Sequence, residues 1–263
     1  MVESIVLSWL LVAGLMFLAW CIGLLSRNPS VIDVFWPIAI LFASLMLSGG
    51  IATGVVSRLL QLLLLIWAVR LAGYLLFKRV LHRHVDKRYI YLSDAWSGSN
   101  QFGFFINFQL QGVLAVVIAM PFLFIDHHLS LNVLNGLAII IIIIGIMAES
   151  VADTQLINAK DQAITVCNTG LWQYSRHPNY FFECLIWLGF GLAGWSASLP
   201  SSLRDESILH FSWLSLLSPV LLLFIILKIT IPLTEKLSIQ AKGAAYRQYQ
   251  QHTSMFIPLP PKK

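Results

Sequence analysis

Between Gly136 and Ala148 the chain carries no polar side chain, and Ile139 to Ile144 is an unbroken run of isoleucine. A helix that is apolar all round has no face to offer water, so it must lie in a large core or a membrane. The run is also too long and too uniform for a barrel strand, which would alternate apolar and polar residues. Comparable stretches recur at roughly 5–25, 31–49, 56–77, 104–125, 129–149, 180–199 and 209–233. Crossing a bilayer takes about 20 mainly apolar residues for about 30 Å of hydrocarbon. The chain has 263 residues, of which 58% are hydrophobic and only 11% charged. A soluble domain, with about 25% charged residues, is therefore excluded. The expected fold is all-α: one domain over 1–263, a multi-pass membrane bundle of about seven helices. The second stretch is the least regular, being short and containing Asp33 and Pro37.

Basic residues mark the cytoplasmic side of membrane proteins. With the N-terminus outside, Arg27, Lys78, Arg79, Arg83, Lys87, Arg88, Lys160, Arg176, Lys236, Lys242, Arg247, Lys262 and Lys263 all fall inside, and so does the C-terminus. Arg58 and Arg204 fall near the outer face. The net charge of +5 is then a topology signal, with anionic-lipid contact at 78–88, and not a nucleic-acid footprint. The first stretch lacks a basic start, and Trp20 before Cys21 is too large for a lipoprotein cleavage site, so retention of this helix is expected.

A charge inside a span costs a few kcal/mol by insertion scales and marks a functional candidate. Arg70 lies mid-span, with Trp67 and Tyr74 on the same helical face. Asp33 stands at the inner end of the second span. An Asp33–Arg70 ion pair would neutralise both, either as a helix-pairing bridge or as a substrate-polarising pair. Asn107, Gln109 and Gln111 are expected mainly as interhelical hydrogen-bonding groups, with a polar cavity as the alternative.

Residues 149–183 are the richest in chemistry. On one continuous helix Glu149, Asp153 and Lys160 fall within about 40° of each other. Such a stripe is either a self-neutralising solvated face or a wall for a polar ligand, with carboxylates on ribose hydroxyls and lysine on phosphate. Gly170-Leu171-Trp172-Gln173-Tyr174-Ser175-Arg176-His177-Pro178-Asn179-Tyr180-Phe181-Phe182-Glu183 follows. Pro178 suits the first turn of a helix, whose free N–H groups hold anions. Arg176 and His177 add charge there, Tyr174 and Tyr180 can stack or donate, and Asn179 and Glu183 lie one turn apart. Anchoring at the membrane interface is the plainer reading of such residues. The tail, with Tyr246-Arg247-Gln248-Tyr249 and then Phe256-Ile257-Pro258, is expected to fold back over the cavity mouth.

These elements, together with Ile32-Asp33-Val34-Phe35-Trp36, Trp67-x-x-Arg70-Leu71 and Asp86-Lys87-Arg88-Tyr89, resemble the steroid 5-alpha-reductase superfamily, in its bacterial-type branch of short membrane proteins. The resemblance covers most of the chain. It implies a seven-helix fold with NADPH in a cytoplasm-facing cavity and a lipophilic substrate arriving laterally from the bilayer. By motif position Asp153, Lys160, Tyr174, Arg176, Asn179 and Glu183 would contact cofactor, with Tyr246, Arg247 and Tyr249 closing over it. Glu149, His177 and Tyr180 join them from the stripe and anion-site readings. The implied chemistry is hydride transfer to the β-carbon of an enone, with Asp33, Tyr74 or Arg70 polarising the carbonyl. Val69-Arg70-Leu71 stands where the steroid enzymes carry a histidine–tyrosine pair.

Two other classes compete. Isoprenylcysteine-type methyltransferases, which use S-adenosylmethionine, share the Arg-His-Pro-x-Tyr element and a Glu…Tyr-x-x-Tyr tail, which Glu235 would fit. A lipid-binding protein without turnover is the other. No metal is expected: His82 and His84 point apart on a helix, and His127 and His128 lie across the membrane from the motif. Cys21, Cys167 and Cys184 are isolated, and a small-apolar role is expected of them.

Overall fold

The computed structural model describes residues 2–81, 85–94, 99–125, 129–198 and 211–262. The features expected at His82, Arg83, His84, His127, His128 and Arg204 lie outside the described residues. The described residues are helical with no strand, and they group into two compact units, Met1–Gly136 with Phe190–Ser218 and Leu137–Gly189 with Pro219–Lys263.

The helices are α1 (Val2–Ser26), α2 (Val31–Leu47), α3 (Val55–Leu75), α4 (Lys87–Asp94), α5 (Asn100–Ile118), α6 (Val133–Asp161), α7 (Pro178–Trp195), α8 (Leu217–Ile225), α9 (Ile231–Lys242) and α10 (Ala244–His252). A π-helical turn, Leu76–Leu81, extends α3, and a second, Ile226–Thr230, joins α8 to α9. Each of the seven apolar stretches is mainly helical over its described residues. Among the described residues five are long and apolar enough to cross a membrane: Val2–Ser26, Val55–Leu81, Asn100–Ile118, Val133–Asp161 and Ser212–Lys242. The protein is a multi-pass integral membrane protein. α2 is apolar but only 17 residues long. α7 opens with Pro178, Asn179 and Tyr180 and carries Glu183, which dilutes its apolar character. Large apolar side chains face outward along these helices, among them Val69, Ile140, Met147 and Val220. Lipid can serve as their solvent, because hydrocarbon asks only that the backbone be satisfied internally.

In the first unit α2 lies innermost, with Ile32, Ala39, Ile40 and Ala43 fully buried. It packs on α1, α3 and α5, and Trp36 meets Trp67 of α3 edge-on. Gln61 ties down the α2–α3 turn: its amide donates to Ser48 Oγ and the Gly50 carbonyl and accepts from the Ala52 N–H. The expected intramembrane amides divide. Gln109 donates across to the Ala13 carbonyl of α1, whereas Gln111 donates to Asn107 along its own helix.

In the second unit α6 and α7 meet through glycine. A Cβ on Gly145 would lie 2.6 Å from Ile186 Cγ1, and one on Gly189 would lie 2.5 Å from Ile142 Cγ1 and 3.0 Å from the Ala138 carbonyl oxygen. Small residues of this kind let membrane helices approach closely. Gly189→Ala is therefore expected to cost about 1–3 kcal/mol by overpacking. Gly14→Ala, whose Cβ would meet nothing within 4 Å, serves as the neutral comparison in thermal unfolding of the detergent-solubilised protein.

Candidate functional site

The motif and the tail come together in the second unit. α7 begins at Pro178, so the preceding Arg176 and His177 turn back toward α9 and α10. Arg176 Nε donates to Glu235 Oε1 of α9 at 2.6 Å, and its Nη1 donates to the carbonyls of Thr253 (2.7 Å) and Gln250 (3.1 Å). His177 Nε2 lies 3.3 Å from the same Glu235 oxygen, and Gln250 donates to Glu235 Oε2 at 2.9 Å. Glu235 is thus a hub with a partner on each oxygen. His177 is buried and stacks on Tyr180 with the rings 5° from parallel.

The tail is stitched to the same segment. The Arg176 N–H donates to the Ser254 carbonyl, Ser175 Oγ to that of Phe256, and the Leu259 N–H to that of Tyr174. Tyr249 donates to the Trp172 carbonyl, and Phe181 meets Phe256 edge-on. The tail folds back as expected, and onto this motif. Tyr246 is buried against Tyr249, and its hydroxyl meets Arg176 and Ser238. Burial, reinforced by Glu235, pushes the Tyr246 phenol up to about 12, so it remains a hydrogen-bond donor at neutral pH. Arg247 on the same helix is exposed, as is Tyr174.

α6 is one continuous helix from Glu149 through Lys160, as the stripe required. Glu149 and Asp153 are buried and Lys160 is exposed. Lys160 and Lys242 line a pocket of about 240 Å³ with Thr165 and Cys167 and without a carboxylate. Burial pushes the Cys167 thiol up, which suits a packing role beside Trp172 and not a nucleophile. Glu183 is buried and accepts from Trp187 Nε1 at 3.1 Å. Close in sequence to this hub, and among the described residues, two buried polar atoms have no hydrogen-bond partner: Asn179 Oδ1, two residues past His177, and Thr234 Oγ1, on the residue before Glu235. Among the described residues no three His, Cys, Asp or Glu side chains stand close enough together to hold a metal.

The first unit has a cluster of its own. Asp33 does not pair with Arg70. Asp33 Oδ2 instead meets Arg79 and, at 3.5 Å, Arg88, and Oδ1 accepts from the Tyr89 hydroxyl at 2.8 Å. Asp86 bridges Arg79 and Arg88, each at 3.1 Å. Arg70 is half-buried on α3. Tyr74, one turn on, accepts from Lys78 Nζ at 2.6 Å.

Residues 19–253 match the family DUF1295, described as a protein of unknown function. The chain belongs to the DUF1295 family. This is a steroid 5-alpha-reductase-like family. The match takes in Asp33, the Arg79–Asp86–Arg88 cluster, the motif and all of α10. The chain is also 38% identical over 93 residues to the uncharacterised protein C594.04c of Schizosaccharomyces pombe, a match covering 34% of this chain and 23% of that protein. The chain thus meets about a quarter of that relative's length. No solved structure matches.

Two features of this DUF1295 chain escaped assignment from sequence. Glu235 was given a role only through the methyltransferase likeness, although an acid two spans on from Arg-His-Pro could have been read as its counter-ion. Tyr89 and Asp86 stood in a quoted motif without a role.

Proposed function

We propose that the protein is a membrane-embedded, NADPH-dependent reductase acting on the conjugated C=C of a lipophilic enone. The observation that carries this reading is the pair of partnerless buried polar atoms, Asn179 Oδ1 and Thr234 Oγ1, on residues close in sequence to His177 and Glu235. A buried polar atom left unmet costs about 1–3 kcal/mol, and a polar ligand would recover that. The residues fit a dinucleotide. Asp153 and Glu149 offer carboxylates for ribose hydroxyls, Asn179 and Thr234 offer groups for a carboxamide, and Lys160 with Lys242 offers charge for phosphate. Arg176 contributes by holding the tail in place, since its Nε and Nη1 are committed to Glu235 and the tail carbonyls. NADPH supplies the hydride when bound.

The chain's remaining task is to stabilise the developing enolate oxygen. Of the three sequence candidates, Tyr74 suits it best. Lys78 donates to its phenol oxygen, so the Tyr74 O–H is a donor and the ammonium stabilises negative charge left there. Asp33, with both oxygens accepting, is a positioning residue. Tyr74→Phe is expected to lower enone-dependent NADPH oxidation by about 100-fold or more while NADPH binding stays unchanged. Equal loss of binding and turnover would remove Tyr74 from the chemistry.

One observation favours a second reading. Glu235 neutralises Arg176, and the buried acids Glu149, Asp153 and Glu183 give the unit interior negative groups. These suit the sulfonium of S-adenosylmethionine, and hence methyl transfer to a lipophilic acceptor.

A further inference from the structure

The first unit holds a larger cavity, of about 410 Å³, where the last turn of α1 meets the first turn of α5. Both are helices long enough to span the bilayer, so their ends mark its boundary with water. The inner wall is aromatic, formed by Trp20, Phe104 and Phe108. The rim is polar, formed by Asn100, Gln101 and Arg27. No Asp or Glu lines it, and Arg27 makes no ion pair among the described residues. The geometry points to a binding niche for an anionic phospholipid, its phosphodiester on Arg27 and its apolar part along the aromatic wall.

The backbone at Arg27 supports this independently. The residue ends α1 in the left-handed region, with φ at +52°. The Asn28 N–H closes the turn on the Gly23 carbonyl at 3.0 Å. Helices that end this way normally place glycine or asparagine there, because a Cβ costs about 1 kcal/mol. The chain instead places at this position the longest cationic side chain available, and strain of this kind points from an observed outlier toward a use. The opposite rim adds the first turn of α5, whose leading N–H groups have no intrahelical partner. Trp20 is fixed for its part, since its Nε1 donates to the Gln101 carbonyl at 3.0 Å and its ring meets Phe105 edge-on. A single guanidinium matches the single charge of a phosphodiester, and the aromatic ring of residues at this depth matches the glycerol–acyl boundary.

This inference does not rest on the cofactor reading, and a chain that binds no NADPH can still pass its test. The purified protein is mixed with equal amounts of phosphatidylglycerol and phosphatidylcholine, and retained lipid is read by native mass spectrometry. The wild type is expected to keep phosphatidylglycerol over phosphatidylcholine by about tenfold, the worth of one charge-assisted contact. Arg27→Gln is expected to abolish the preference. Arg27→Gly is expected to abolish it while leaving thermal stability equal or higher, because the backbone strain is relieved. Arg58→Gln, a change elsewhere in the same unit, is expected to behave as wild type. Equal retention of both lipids by the wild type, an undiminished preference in both Arg27 variants, or an equal loss in Arg58→Gln would overturn the assignment.

Discussion

Glu235→Ala is expected to loosen the C-terminal strap and to cost about 3–5 kcal/mol, the range for removing one partner of a buried ion pair. Arg176 is the reason. Its side chain is only 9% exposed, and Glu235 is the acid that meets it. Without that carboxylate the guanidinium keeps the Thr253 and Gln250 carbonyls but carries an uncompensated charge in a low-dielectric interior. His177 and Gln250 lose the same acceptor. The change is read by hydrogen exchange at the Arg176 and Leu259 amides, which donate to Ser254 and Tyr174. Both are expected to exchange faster, together with a lower unfolding temperature in detergent. Glu235→Gln retains the shape and an acceptor and is expected to lose less. Unchanged exchange at both amides in Glu235→Ala would show that the strap is held by Ser175, Tyr249 and Phe256 alone.

The second large effect lies in the other unit. Asp33→Ala leaves Arg79 and Arg88 sharing Asp86, and is also expected to cost about 3–5 kcal/mol. Asp33→Asn is expected to cost nearly as much, because charge and not shape balances the two guanidinium groups. A wild-type unfolding temperature for Asp33→Asn would reduce the cluster to ordinary hydrogen bonding. The pH dependence has a definite sign. Burial pushes the Asp86 carboxyl up, but Arg88 and Arg79 together override it and hold the group well below the usual carboxylate range. A carboxyl depressed in the folded state contributes stability above its unfolded pKa of about 4 and loses it only as pH falls through the folded value. The Asp86 contribution is therefore expected to persist from neutral pH through mild acid and to disappear only in strong acid. Thermal unfolding of the wild type and Asp86→Asn from about pH 5 to 8 measures it: the gap between them is expected to stay constant over that window.

Helix positions were legible because bilayer-spanning helices announce themselves through length and apolarity. The stretch expected at 5–25 is Val2–Ser26, and that at 56–77 is Val55–Leu81. Pro178 opened α7 as its chemistry demanded, and Phe256 marked the tail as docked, whereas Ile257 is exposed. The partner of Asp33 was not legible. Arg70 and Arg79 lie about half a turn apart around a regular helix, and Arg79 sits within the π turn Leu76–Leu81. A wide turn changes which face a side chain serves, and periodicity arguments assume it away. The protein contacts of Arg176 were not legible for a related reason. Its positive charge was visible, but the acid that meets it lies 59 residues away, and only the fold brings the two together.

The unit formed by Leu137–Gly189 and Pro219–Lys263 is proposed to hold a dinucleotide. Calorimetric titration of NADPH and of S-adenosylmethionine into the detergent-solubilised protein tests it most directly. Saturable NADPH binding, undisturbed by excess S-adenosylmethionine, is the expected result. Saturable S-adenosylmethionine binding with no NADPH binding would contradict it and establish the methyl-transfer reading in its place.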